Sequence, residues 1–209
     1  MLTHFNLSGS MKLVLTLLLL IGCHTLVVAQ TLAIQYPKLR KTLDSLAYVD
    51  QWPMQRMEQR QPDSVGRNLE EVQKANSARH QPVLESIVQR YGFPGIRQVG
   101  KQGALNFWLL VQHADAHPDF QRMVLRLMKV EVEKQNAAAR NYAYLIDRVA
   151  TNSGQLQEYG TQLIYGPDGQ AVPGPLRDPQ NVNKRRAAVG MEPLEKYLER
   201  VNKDREMSR

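Results

Sequence analysis

Cysteine is almost missing from this chain of 209 residues: the one copy, Cys23, sits among apolar residues near the amino terminus. A chain processed beyond it has no thiol, no disulfide and no cysteine metal ligand, so packing alone must hold it together. Also missing is an uninterrupted apolar run of about 20 residues, the length a membrane-spanning helix needs. The longest candidate runs from Leu13 to Ile21, and His24 follows inside the same stretch. There is no glycine-rich phosphate loop, no complete metal-ligand set, no internal repeat and no long low-complexity segment. Ser153 and Thr161 lack the neighbours that activate a nucleophile, so neither a cofactor nor covalent catalysis is indicated.

What is there begins with a leader. Lys12 precedes the apolar run, and Val27-Val-Ala29 supplies the small residues that a signal peptidase requires before Gln30. The segment reads as complete from Met1 or from Met11. Residues 1 to 29 are expected to be removed, leaving residues 30 to 209 as one exported domain, periplasmic or extracellular. A second processing reading stays open, in which Leu20-Ile-Gly-Cys23 is a lipobox and Cys23 is acylated; the residues after Cys23 remain apolar, which disfavours it. Removing the leader takes the formal charge from +7 to +6, because Lys12 is the only charged residue before Gln30. Acids are interspersed with bases throughout, and the one dense basic cluster, Lys184-Arg185-Arg186, has no interleaved aromatics. Nucleic acid is therefore not expected as a partner, and weak attraction to anionic envelope components is preferred.

Beyond the leader the hydrophobic period is helical. Leu39, Leu43, Leu46 and Val49 mark a first helix closing near Trp52-Pro53. A second spans about Asn68 to Tyr91, with Pro82 expected to kink or divide it. A third, about Gln102 to His113, is apolar on nearly all sides and is expected to be the central one. Pro118 suits the first turn of a fourth helix. A fifth spans about Ala138 to Ala150, stopped by Asn152-Ser-Gly154. Tyr159 to Tyr165, the turn Gly166-Pro-Asp-Gly169 and Gln170 to Pro173 read as a β-hairpin. Asp178-Pro179 reads as the cap and first turn of a helix ending before Gly190, and Glu192 to Lys203 as a last amphipathic helix. The expected fold is mainly α: a single-domain antiparallel bundle of about six or seven helices with a β-hairpin insert near residues 159 to 173.

Topology gathers the polar residues. With short connections the third and fifth helices run parallel, so their carboxyl ends share one face of the bundle, and the hairpin leaves from there. Gln112, His113, Asp115, Asp147, Arg148, Tyr159, Thr161 and Gln162 are thereby expected to line one cleft. A structural account stands beside this one. His113 suits a helix carboxyl end electrostatically, Asp115 can cap the next turn, and Asp147 and Arg148 can simply pair with neighbouring segments. His113 and His117 would face one metal only if the third helix continued through Pro118, and no third histidine is near; zinc is therefore the weaker reading.

Six segments occur together: Tyr91-Gly-Phe-Pro-Gly95, Trp108-Leu-Leu-Val-Gln-His-Ala-Asp115, Pro118-Asp-Phe-Gln121, Tyr144-Leu-Ile-Asp-Arg-Val149, Tyr159-Gly-Thr-Gln162 and Arg185-Arg-Ala-Ala-Val-Gly190. In that order they resemble an uncharacterised bacterial family, domain of unknown function family 6624, and Asp50-Gln51 fits it too. The resemblance covers most of the processed chain and brings no activity with it. It implies that Gln112, His113, Asp115, Gln121, Asp147, Arg148, Tyr159, Thr161 and Gln162 belong to recurring motifs. His117 departs from the pattern, where an aspartate is common.

Three accounts of these residues follow. In the first, His113, oriented by Asp115 or Asp147, is the acid or base of a hydrolase or lyase acting on a polar envelope substrate. Arg148 then holds an anionic group, while Gln112, Gln121, Tyr159, Thr161 and Gln162 bind the remainder. In the second, the same cleft grips a polar small molecule or envelope partner without chemistry. In the third, the groups are a buried hydrogen-bond network joining the helix ends to the hairpin.

Overall fold

Pro37, with its φ preset for the first turn, opens the first of seven helices in the computed structural model, which describes residues 33 to 207. The leader, Cys23, Met1 and Met11 lie outside the described residues. Helix α1 is Pro37–Glu58, α2 Leu69–Tyr91, α3 Ile96–Gln112, α4 Pro118–Glu133 and α5 Ala139–Asn152. Strands β1 (Leu163–Tyr165) and β2 (Ala171–Pro173) then pair antiparallel, with Ile164 opposite Val172. A 3-10 turn, Pro179–Asn181, leads into α6 (Val182–Ala188), and α7 (Leu194–Met207) closes the described chain. The protein is a mainly α single domain with a small hairpin.

Helix α3 is central, as its apolar circumference suggests: it packs against α1, α2, α4 and α5. Leu39 and Leu43 of α1, Leu84 and Ile87 of α2, Phe107 and Val111 of α3, Val124 and Met128 of α4 and Leu145 of α5 form one buried cluster. Tyr197 and Leu194 of α7 and Val182 of α6 make a second, smaller one, with Leu163 packed against it. Gly95 is required where the chain turns into α3, since a Cβ there would lie 2.5 Å from the Asn136 carbonyl oxygen.

Helix-breaking residues act differently from expectation. Helix α1 does not close at Trp52-Pro53 but continues to Glu58. Proline at 53 has no N–H for the carbonyl four residues back, and that carbonyl, Val49 O, instead accepts Asn76 Nδ2 from α2 at 2.8 Å. Helix α2 likewise runs through Pro82 undivided, with Asn68 accepting the amides of Glu70 and Glu71 as its amino-terminal cap. The break comes at Gly100, where φ 74 and ψ 167 separate a short first turn of α3 from the part beginning near Gln102. Asp178 is left-handed (φ 43) and makes no capping bond, so it does not cap an α-helix; its carboxylate takes Asn181 Nδ2 at 2.8 Å. Tyr159 to Gln162 lie outside the hairpin strands.

Asn76 and Pro53 should therefore be coupled. Asn76→Ala is expected to cost about 1–3 kcal/mol, the loss of a buried donor's bond to a carbonyl that the helix leaves unpaired. In a Pro53→Ala background, where a main-chain N–H is restored, the same substitution should cost at least about 1 kcal/mol less. Urea unfolding of the four proteins measures this, and additive costs would show that the two residues do not share Val49 O.

A buried carboxylate and imidazole, and a lattice beside them

Helix α3 stops at Gln112, and His113 is its carboxyl-terminal cap residue (φ −88, ψ 0). Its main chain is held twice: the N–H bonds to Leu109 O, and the carbonyl accepts Ser77 Oγ of α2 at 2.9 Å. The ring is held as firmly. Nδ1 lies 2.7 Å from Oδ2 of Asp50, an α1 residue with no exposed surface. Gln51 Nε2 donates to the same oxygen at 2.6 Å, while Asp50 Oδ1 is buried with no partner among the described residues.

A carboxylate acceptor assigns the proton to Nδ1 and leaves the lone pair on Nε2. Nε2 has no hydrogen-bond partner among the described residues. The His113 side chain is 15% exposed, and it lines a cleft of about 370 Å³ with Glu70, Lys74, Ser77, Asp115 and His117. His80, one turn beyond Ser77 along α2, is buried with its own Nδ1 unpartnered among the described residues. Burial lowers the His80 pKa, with the Asp50 charge pulling the other way, and so disfavours the charged form of His80 beside Asp50.

Most of the other expected site residues are spent on one another. Asp115 receives Arg148 Nε at 2.9 Å and Arg148 Nη2 on its second oxygen, with Asn152 Nδ2 at 2.8 Å and Gln121 Nε2 at 3.2 Å. Gln121 is fully buried and also reaches Val111 O at 3.0 Å and Gln112 O at 3.4 Å. Its Oε1, like Oε1 of Gln112, is buried without a partner among the described residues. Arg148 Nη1 continues to Gln162 Oε1 at 3.5 Å, and Gln162 Nε2 to Thr161 Oγ1 at 3.1 Å. The carboxyl ends of α3 and α5 do meet, as the parallel arrangement required. Partial burial works against the Asp115 charge, but Arg148, Gln121 and Asn152 outweigh it and hold the carboxyl below its ordinary range.

Asp147 has a different task. It is fully buried, and its oxygens accept the amides of Glu158 (2.8 Å), Tyr159 (3.1 and 3.2 Å) and Thr161 (2.9 Å). Gln157, also buried, reaches across the same loop to both the N–H (2.7 Å) and the carbonyl (2.8 Å) of Gln162. Arg185 Nε holds Glu158 O and Arg186 Nη1 holds Tyr159 O, each at 2.7 Å. Arg186 is 2% exposed, so the basic cluster of the sequence is partly interior. Burial raises the Tyr159 phenol, and the Asp147 and Glu158 charges push it the same way.

His113 is thus oriented by Asp50, not by Asp115 or Asp147, whose oxygens are taken by Arg148 and by loop amides. Spacing could not find Asp50, 63 residues upstream; its signal was a carboxylate on the inward stripe after Leu39 and Leu43. His117 stands outside α3 as the residue before α4, so it shares no helix face with His113. Among the described residues no three histidine, cysteine or acidic side chains come together as a metal set.

Two outcomes check these roles. Asp147→Ala leaves three loop amides without their acceptor and should lower stability by at least about 3 kcal/mol. Faster hydrogen exchange should appear at the amides of Glu158, Tyr159 and Thr161; unchanged exchange there would remove the clamp. The Asp115 carboxyl, whose folded pKa lies below the unfolded value near about 3.9, adds stability above that pH and loses it as pH falls through the folded value. The melting-temperature gap between the parent and Asp115→Asn should accordingly be wide at pH 7 and close on acidification below about pH 4.

Fold and site together define a class: a mainly α domain in which a buried carboxylate pairs with a partly exposed imidazole at the wall of a cleft. The chain belongs to a family of unknown function (DUF6624), whose model matches residues 37–207. No curated protein and no solved structure matches it.

Proposed function

We propose that this protein is an acid–base enzyme of hydrolase or lyase type, with His113 as the proton-transfer group and Asp50 as the residue that positions it. The observation carrying this reading is the pairing of His113 Nδ1 with a fully buried carboxylate while Nε2 stays unpaired on a cleft wall. As base, Nε2 takes a proton from water attacking the substrate, or from a substrate C–H; the imidazolium formed is stabilised by Asp50 and returns the proton to the leaving oxygen or nitrogen. The cleft walls, with Lys74 as a donor and Glu70 as an acceptor, offer polar groups to a substrate. Arg148 enters as support for Asp115 more than as an anion clamp, because Nε and Nη2 are already committed. Export by the leader would deliver this chemistry to the cell envelope, where saccharides and peptides are the polar substrates at hand.

The lattice of Asp147, Gln157, Thr161 and Gln162 favours a second, structural role for that half of the expected site. Its Asp147 carboxylate and Gln157 amide oxygen accept main-chain N–H groups of the loop they hold.

The test is conversion of a peptidoglycan digest followed by mass spectrometry. His113→Ala and Asp50→Asn should each reduce turnover by about 100-fold or more. The Asp50→Asn protein should fold with a circular dichroism spectrum like the parent's, and the saccharide affinity of both variants should be close to the parent's. Binding of digest components without conversion by the parent would select a binding module instead. Equal turnover by His113→Ala would exclude the enzyme.

A further inference from the structure

A second cleft lies on the flank of α2 facing away from His113. It is the larger of the two, about 630 Å³, and is walled by Trp52 of α1, by Arg67, and by Val72, Ala75, Asn76 and Arg79 of α2. Arg67 is held before any ligand arrives. The Asp63 carboxylate, with 2% of its side chain exposed, takes Arg67 Nε at 2.9 Å and Nη2 at 3.0 Å, and also the Arg67 amide at 3.1 Å. Nη1 is left over, and the guanidinium carbon sits 5.6 Å from the Trp52 ring centre. The Arg79 guanidinium makes no hydrogen bond or ion pair among the described residues. Asn76 is more than nine-tenths buried and gives Nδ2 to Val49 O; its Oδ1 has no partner among the described residues although the residue lines the cleft.

A rigid arginine, a free arginine and an open amide oxygen beside an indole and two small apolar side chains form a composite surface. The Arg79 guanidinium can match the planar oxygens of a carboxylate or phosphate, and Arg67, with Nε and Nη2 committed to Asp63, adds Nη1 as a single charged donor. The wall of Trp52, Val72 and Ala75 fits a flat apolar face, as a sugar ring presents. The amide oxygen of Asn76 and the carboxylate of Glu71, also on the lining, accept from hydroxyl groups. An inorganic anion would use only the arginines, and a neutral sugar only the remainder. We propose that this cleft binds an anionic saccharide, with Arg67 and Arg79 on its carboxylate or phosphate and the Trp52 wall against its ring. The site is independent of the His113 reading, and either can fail alone.

Trp52 reports on it directly. There are two tryptophans, so in Trp108→Phe the indole at the cleft is the sole one. Its fluorescence is titrated with glucuronate, glucose 6-phosphate, glucose and inorganic phosphate, and calorimetry on the unsubstituted chain gives the same reading should Trp108→Phe not fold. Saturable binding with Kd on the order of 1 mM is expected for one or both anionic sugars, with glucose and inorganic phosphate at least about tenfold weaker. The preferred sugar tells a carboxylate site from a phosphate site. Arg79→Ala and Arg67→Lys should each weaken binding by about tenfold or more, since lysine cannot keep the two-point grip of Asp63. His113→Ala should leave it unchanged. No saturable signal with either sugar, phosphate binding as tight as the sugars, or full affinity in Arg79→Ala would each overturn the proposal.

Discussion

A carboxylate removed from water must be answered by donors of the protein, and this fold is arranged around two such groups, Asp50 and Asp147, neither with any exposed surface. They are answered in opposite ways. Asp147 is saturated by amides of the loop after α5, a fixed set of dipoles that cannot change charge, and the outcome is a shaped loop. Asp50 is answered by one imidazole and one primary amide, with an oxygen left over. An imidazole can take a second proton where an amide cannot, so the same physical demand gives a fixed loop at one place and, on the proposed reading, a proton-transfer group at the other.

Helix number, the central position of α3, the hairpin turn and the meeting of the α3 and α5 carboxyl ends were legible in the sequence, because each is set by local periodicity or by connection length. The polar residues at that end were also legible as a group, but their pairings were not. Asp115 and Arg148 meet across 33 residues, and His113 and Asp50 across 63, so which carboxylate meets which base is decided by helix packing. The stripes held a usable signal. Asp50 follows Leu39, Leu43 and Ala47 on the buried face of α1, and Asp147 follows Ala143 on that of α5. An acid placed where leucine is expected announces a buried partner without naming it. Asp178 misled because Asp-Pro is read locally as a cap, whereas the backbone there adopts a left-handed turn.

The prolines carry a related lesson. Each removes one helical donor, which sequence reasoning treats as a place to stop. At Pro53 the released carbonyl is taken up by Asn76, so the proline becomes a point of attachment between α1 and α2. Pro82 has no N–H to give the Ala78 carbonyl, and Ala78 lies on the wall of the His113 cleft. Interior prolines survive here because other helices, or the space of a cleft, accommodate what they release.

Helix α2 is the wall common to both clefts, and its rotation about its own axis decides which side chains each cleft receives. Two successive residues fix that rotation: Asn76 bonds to the main chain of α1 and Ser77 to the main chain at the end of α3. Adjacent positions on a helix point about 100° apart, so bonds in two such directions leave no free turn about the axis. Apolar contacts at Leu84 and Ile87 would tolerate a rotation of some degrees, whereas hydrogen bonds of fixed length and direction do not. The polar first half of α2, mostly exposed and unexplained by core formation, thus sets Lys74 and Ser77 toward the His113 cleft and Arg79 toward the cleft that Arg67 also lines.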